Sequence, residues 1–180
     1  ERGWDELSKK AESYEICFVP DNDYRSFLRR RVDGLDEKVA GGQFVDAEGK
    51  VLGSHEGYPY FTVGQRKGLG IALGEPMFVT EIRPDTNTVV LGREDDLIRN
   101  GMMVGKVNLM KYGTLPAEGM EAVTKVRYRD AGTLSTIRTI GKDVDVQFHA
   151  NVKGVAPGQS AVFYEGDDVV GGGIIQGSFG

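Results

Sequence analysis

The rhythm of apolar and polar positions changes along the chain. Leu7 and Ala11 stand one helical turn apart in a polar segment, which predicts a short amphipathic helix, and Ile16-Cys17-Phe18-Val19 reads as a brief buried strand closed by Pro20. Asp21 or Asn22 then caps a helix with Tyr24, Phe27 and Leu28 on its apolar side. Arg29, Arg30 and Arg31 fall in its last turn, where cations suit the helix dipole, and Gly34 ends it.

Beyond residue 34 the helical period disappears. Residues 38–45 and 51–55, on either side of the turn Asp46-Ala47-Glu48-Gly49, predict a hairpin, and residues 58–63 a further strand. The stretch from Gly64 to Gly74 is too rich in glycine to hold a regular element and reads as a loop or linker at a domain boundary. Strand-like runs follow at 77–82, 88–91, 103–109, 122–128, 133–140, 144–148, 160–164 and 169–175, separated by turn signals such as Pro84-Asp85-Thr86-Asn87 and Asp130-Ala131-Gly132. So many short strands at near-regular spacing argue for a mainly β chain, with a small α+β part followed by a closed or nearly closed antiparallel barrel.

Composition narrows the class. With 180 residues, 39% of them hydrophobic, the chain can bury one ordinary core or two small ones. No apolar run approaches the roughly 20 residues a spanning helix needs, and there is no secretory core at the start, so the cytoplasm is the expected compartment. A single cysteine, Cys17, excludes a disulfide framework and a cysteine-rich zinc site, and neither His55 nor His149 has a second ligand at metal-binding spacing. The first residue is not methionine, and residues 4–13 read as the end of a helix already under way, so a piece of a longer protein is expected.

A net charge of −5 argues against a chain that is basic throughout, but nucleic-acid binding needs only a local positive face. Lys125, Arg127, Arg129, Arg138 and Lys142 lie in one stretch with a single acid, Asp130. If residues 125–129 alternate as a strand, Lys125, Arg127 and Arg129 share one face and Val126 and Tyr128 the other. That face is either a solvated surface or a row of phosphate-seeking cations. Gln159, in the turn after Pro157, either reads a base edge or bonds within its turn.

The loop Gly64-Gln65-Arg66-Lys67-Gly68-Leu69-Gly70 could cradle phosphate with its amides and with Arg66 and Lys67, yet it has neither the spacing of a Walker loop nor that of a dinucleotide fingerprint. A structural linker fits it as well. Cys17, between Ile16 and Phe18, reads from its neighbours as a small buried hydrophobe. Its place at a strand end before a capped helix keeps a nucleophilic role open. Gly171-Gly172-Gly173 suggests close backbone packing, a bulge or a barrel corner.

Taken in order, Glu15-Ile16-Cys17-Phe18-Val19, Gly41-Gly42-Gln43-Phe44-Val45-Asp46, the run from Tyr60 to Gly70, Lys125-Val126-Arg127-Tyr128-Arg129, the run from Pro157 to Tyr164 and Gly171-Gly172-Gly173-Ile174-Ile175 resemble the bacterial tRNA-specific 2-thiouridylases, collinearly over nearly the whole chain. The resemblance implies an N-terminal PP-loop domain, absent here, that binds ATP and Mg²⁺ and adenylates the C2 oxygen of the wobble uridine, after which persulfide sulfur displaces AMP. Cys17 matches the family's second catalytic cysteine, the one that carries the persulfide. Arg127, Tyr128 and Gln159 match tRNA-contacting positions, with Lys125, Arg129, Arg66 and Lys67 as further candidate RNA contacts.

By the same resemblance, residues 1–19 would be the end of the catalytic domain, 20–73 a small central domain and 74–180 a six-stranded barrel. The implied partners are the tRNA anticodon stem-loop, a sulfur-carrier protein and the missing domain, with no membrane and no cofactor in this segment, which alone should be inactive. One position departs from the pattern: Tyr14-Glu15 stand where members often carry a small Thr-Gly pair. An older label for the family, methyltransferase, implies a methyl-donor site of which these residues show no sign. The alternative class is a stand-alone RNA- or protein-binding β-barrel adaptor.

Overall fold

The computed structural model describes Val19, residues 23–128 and residues 130–180. The helix expected around Leu7, the strand through Cys17, and Arg129 lie outside the described residues. The described residues up to Ala40 and those from Gly41 to Gly180 form separate compact units.

In the first unit, helix α1 spans Tyr24–Arg31. Its N-cap is Asp23, further along than expected, whose carboxylate accepts the Ser26 amide at 3.0 Å. The helix stops at Val32, whose backbone is extended, rather than at Gly34; Gly34 adopts a left-handed conformation and caps a second short helix, α2, at Leu35–Lys38. Arg29 Nε bonds Asp36 at 2.9 Å and ties the two helices together.

The second unit opens with the expected hairpin of β1 (Gly42–Val45) and β2 (Val51–His55). Asp46 closes its turn, accepting the Lys50 amide on Oδ1 at 2.8 Å. Residues 58–60, expected in a strand, form a 3-10 turn, since Pro59 has no amide to give a sheet and the Phe61 amide folds back to Tyr58. Strands β3 (Phe78–Arg83) and β4 (Thr88–Gly92) make a second hairpin around Asn87, which sits at φ 48°.

These two strands were expected on the barrel side of residue 73. Instead β1 pairs with β4 in parallel, Phe44 opposite Val89, and gives a four-stranded sheet of order β2-β1-β4-β3. Phe44, Val79, Val89 and Leu91 are fully buried there and supply the apolar reason for the pairing.

The barrel begins only at β5 (Ile98–Leu109) and continues through β6 (Met120–Lys125), β7 (Thr133–Ile140), β8 (Asp143–Lys153), β9 (Ser160–Glu165) and β10 (Asp168–Phe179). All pairings are antiparallel and the sheet closes in the order β10-β5-β8-β7-β6-β9, which leaves no edge strand. Met102, Val104, Ile137, Val146, Phe163 and Ile175 fill its interior. Gly172 and Gly173 let neighbouring backbone approach closely, since a Cβ there would lie 2.5 Å from the Ala161 and Gly105 carbonyl oxygens. Strand β6 ends at Lys125, so the alternation expected through residue 128 stops short and Arg127 does not share a strand face with Lys125.

Candidate nucleic-acid interface

Beyond β6, Val126 and Arg127 are held in a tight turn by bonds to Asp130. Its carboxylate accepts the Val126 and Gly132 amides, each at 3.0 Å, while its own amide bonds the Arg127 carbonyl at 3.1 Å. Val126 is turned into the barrel core, and Arg127 and Tyr128 are left on the outside. The turn takes the place of the expected strand because three backbone and side-chain bonds to one aspartate satisfy amides that would otherwise need a ladder.

Tyr128 is 70% exposed. Among the described residues its hydroxyl has no hydrogen-bond partner, and neither has the side-chain amide of Gln159. The Gln159 backbone, by contrast, is held against β10, its carbonyl accepting the Ile175 amide at 2.8 Å. Arg127 donates from Nη2 to the Gly154 carbonyl at 2.7 Å and to the Val63 carbonyl at 3.1 Å.

The loop that carries Val63 is not a slack linker. Gly64 and Gln65 exchange backbone bonds with Val79 of β3, at 2.7 and 2.9 Å, while the Gln65 side chain accepts the Thr62 amide and donates to the Lys67 carbonyl. Thr62, Val63, Gly64, Gln65, Arg127, Tyr128 and Gln159 together line one shallow open groove of about 500 Å³. The three residues singled out as tRNA contacts thus converge from two turns of the barrel, and the sheet module supplies the opposite wall.

The other basic candidates stand apart. Lys125 places its ammonium 5.4 Å from the centre of the Tyr164 ring. Arg66 lines a separate groove with Leu69, Ile71 and Met77, and Lys67 is exposed outside both. The groups that build the site without having been given a role from sequence are the Asp130 carboxylate, the Gln65 side chain and the Gly154 carbonyl. Only Asp130 gave a local signal, as the first residue of an Asp-Ala-Gly turn. Among the described residues no cluster of His, Cys, Asp or Glu could hold a metal ion, and no helix is long and apolar enough to cross a membrane.

The groove therefore offers one guanidinium with no carboxylate at ion-pairing distance among the described residues, one exposed aromatic face and one unpaired amide. These are the chemical types that recognise phosphate, a base face and a base edge.

Comparison with known proteins agrees with the two-part architecture. Residues 26–93 match the tRNA methyl transferase PRC-barrel domain, and residues 99–175 match the aminomethyltransferase beta-barrel domain. The class is thus a PRC-barrel-type sheet module joined to an aminomethyltransferase-type barrel. The chain is 60% identical over 179 residues to the tRNA-specific 2-thiouridylase MnmA of Cytophaga hutchinsonii, covering 99% of this chain and 49% of that protein. It is 58% identical over 179 residues to that of Amoebophilus asiaticus, covering 99% and 48%, and 47% identical over 168 residues to that of Carboxydothermus hydrogenoformans, covering 93% and 45%. The chain spans about half the length of the curated relatives it matches. It belongs to the tRNA-specific 2-thiouridylase family and corresponds to the C-terminal part of its members.

Proposed function

We propose that the protein to which this chain belongs thiolates C2 of the wobble uridine of tRNA in the cytoplasm, and that this chain helps hold the anticodon stem-loop while chemistry occurs elsewhere. The observation that carries the reading is the convergence of Arg127, Tyr128 and Gln159 on one groove. Arg127 neutralises a phosphate, Tyr128 offers a stacking face to an unstacked base, and the free amide of Gln159 meets a base edge or ribose hydroxyl.

In this reading ATP and Mg²⁺ bind a PP-loop domain in the half of the relatives that this chain does not span. That domain adenylates the C2 oxygen. The Cys17 thiolate takes the outer sulfur of a sulfur-carrier persulfide and releases the carrier's thiolate. The terminal sulfur then bonds to C2 as the C–O bond breaks and AMP departs with the oxygen. The thiolate of the family's first catalytic cysteine, in the half not spanned here, attacks the Cys17 sulfur and breaks the S–S bond, which leaves sulfur on C2 and a disulfide on Cys17.

The test uses the full-length protein and its tRNA. Tyr128→Ala is expected to weaken tRNA binding by about tenfold, the cost of one lost base stack. Cys17→Ser should abolish 2-thiouridine formation and leave tRNA affinity unchanged. Unaltered affinity in Tyr128→Ala would remove the groove from RNA recognition, and thiolation surviving in Cys17→Ser would remove that thiol from the mechanism.

A further inference from the structure

We infer that Arg127 is also a positioning residue, the clip that sets the separation of the two walls of the groove. The inference rests on the groove being the RNA surface. One guanidinium nitrogen, Nη2, bridges two carbonyls from distant parts of the chain: Val63, in the loop that leads to β3, and Gly154, just after β8 in the barrel. A planar, permanently charged fork suits such bridging of fixed acceptors, and a flexible ammonium does not reproduce it.

The surrounding backbone has been cleared for this nitrogen. At Gly64 and at Gly154 a Cβ would lie 2.9 and 2.6 Å from Arg127 Nη2, and both glycines have positive φ, +87° and +72°. Side chains are thus excluded twice, on opposite walls, at the place where the guanidinium lies. The loop at residues 62–65 is fixed to β3 through Gly64, Gln65 and Val79, and the turn of Arg127 is fixed to the barrel by Asp130. Arg127 joins these two rigid pieces. Among the described residues its Nε and Nη1 hydrogens have no partner, so one side chain can hold the groove open to a set width and still present charge to a phosphate. Part of its effect on RNA affinity is then preorganisation, realised before RNA arrives.

The test is Arg127→Lys in the full-length protein, which keeps the charge and removes the fork. Two quantities are read: tRNA affinity across a salt series, and hydrogen exchange of the segment at residues 61–67 without RNA. The clip predicts a salt slope like that of the unsubstituted protein, affinity about tenfold weaker and exchange about tenfold faster, the factor expected on losing a charge-assisted hydrogen bond. Gly154→Ala, which displaces the guanidinium without removing it, should give the same pair of changes. If that variant fails to fold, the lysine variant alone decides. Unchanged exchange in Arg127→Lys overturns the clip, and faster exchange with unchanged affinity overturns its positioning role. Failure of the unsubstituted protein to bind tRNA overturns the RNA reading instead, and the exchange result still decides the clip.

Discussion

At the scale of single residues, His55 ties acidity to stability. Its ring packs edge-on against Phe44 and Phe61, with centroids at 4.8 and 5.0 Å. Its Nδ1 accepts the Gly57 amide at 3.1 Å, so the proton of the neutral ring sits on Nε2, which is buried without a hydrogen-bond partner among the described residues. Burial holds its pKa below the ordinary 6.5, the Gln43 backbone offsetting only part of that. The unfolded chain therefore takes up a proton more readily than the folded one. Above about pH 6.5 the residue has no effect on the folding balance, and below it stability falls until the depressed folded pKa is reached.

Chemical denaturation at about pH 7.5 and about pH 5.5 should show a loss of stability on acidification that is smaller in His55→Phe. An equal loss in both proteins would assign the pH dependence to other groups. The sequence shows His55 as a lone histidine with no metal partner, which agrees with a packed ring, but not that Phe61, from a separate segment, completes the cage. Gln159 is similar: its turn was legible, and the freedom of its amide depends on neighbours that no local pattern names.

At the scale of elements, the barrel carries one buried polar pair between β6 and β7. The hydroxyls of Thr124 and Ser135 lie 2.6 Å apart, both fully buried, and Ser135 donates to the Ala122 carbonyl at 3.0 Å. A hydroxyl left unpaired in such a place costs about 1–3 kcal/mol. Ser135→Ala should therefore lower barrel stability by about that amount, and adding Thr124→Val should recover part of it, because no polar group is then stranded. Denaturant melts of the two variants check this, and additive losses would argue against the coupling.

Most strands were visible as apolar runs, and β7 was visible to its end residues, because alternation and turn residues agree there. The failures have distinct causes. Residues 58–60 look like a strand by composition, but Pro59 removes an amide. Residues 125–128 alternate as a strand does, but Asp130 satisfies the same amides in a turn. The membership of β3 and β4 in the sheet depends on the parallel pairing of Phe44 with Val89, a long-range contact to which local periodicity is blind.

At the scale of the whole molecule, the net charge of −5 conceals how the cations are used. Lys111 is held by Glu165 and Asp168, and Lys153 by Glu94 and Asp95, and these acids raise the pKa of both lysines above the usual value. Such exposed pairs add little to stability, but they remove those cations as ready phosphate ligands. Among the described residues Arg127 is bonded only to neutral carbonyls and keeps its charge uncompensated on the groove. A chain that is acidic overall can therefore still present a local site for RNA.

The salt dependence of tRNA affinity in the full-length protein, measured for the unsubstituted chain and for Arg127→Ala, tests this most directly. Loss of one phosphate contact predicts weaker binding at every salt concentration and a slope of log affinity against log salt that is shallower by about one unit. The same slope and the same affinity in both proteins would contradict it and return the groove to ordinary surface.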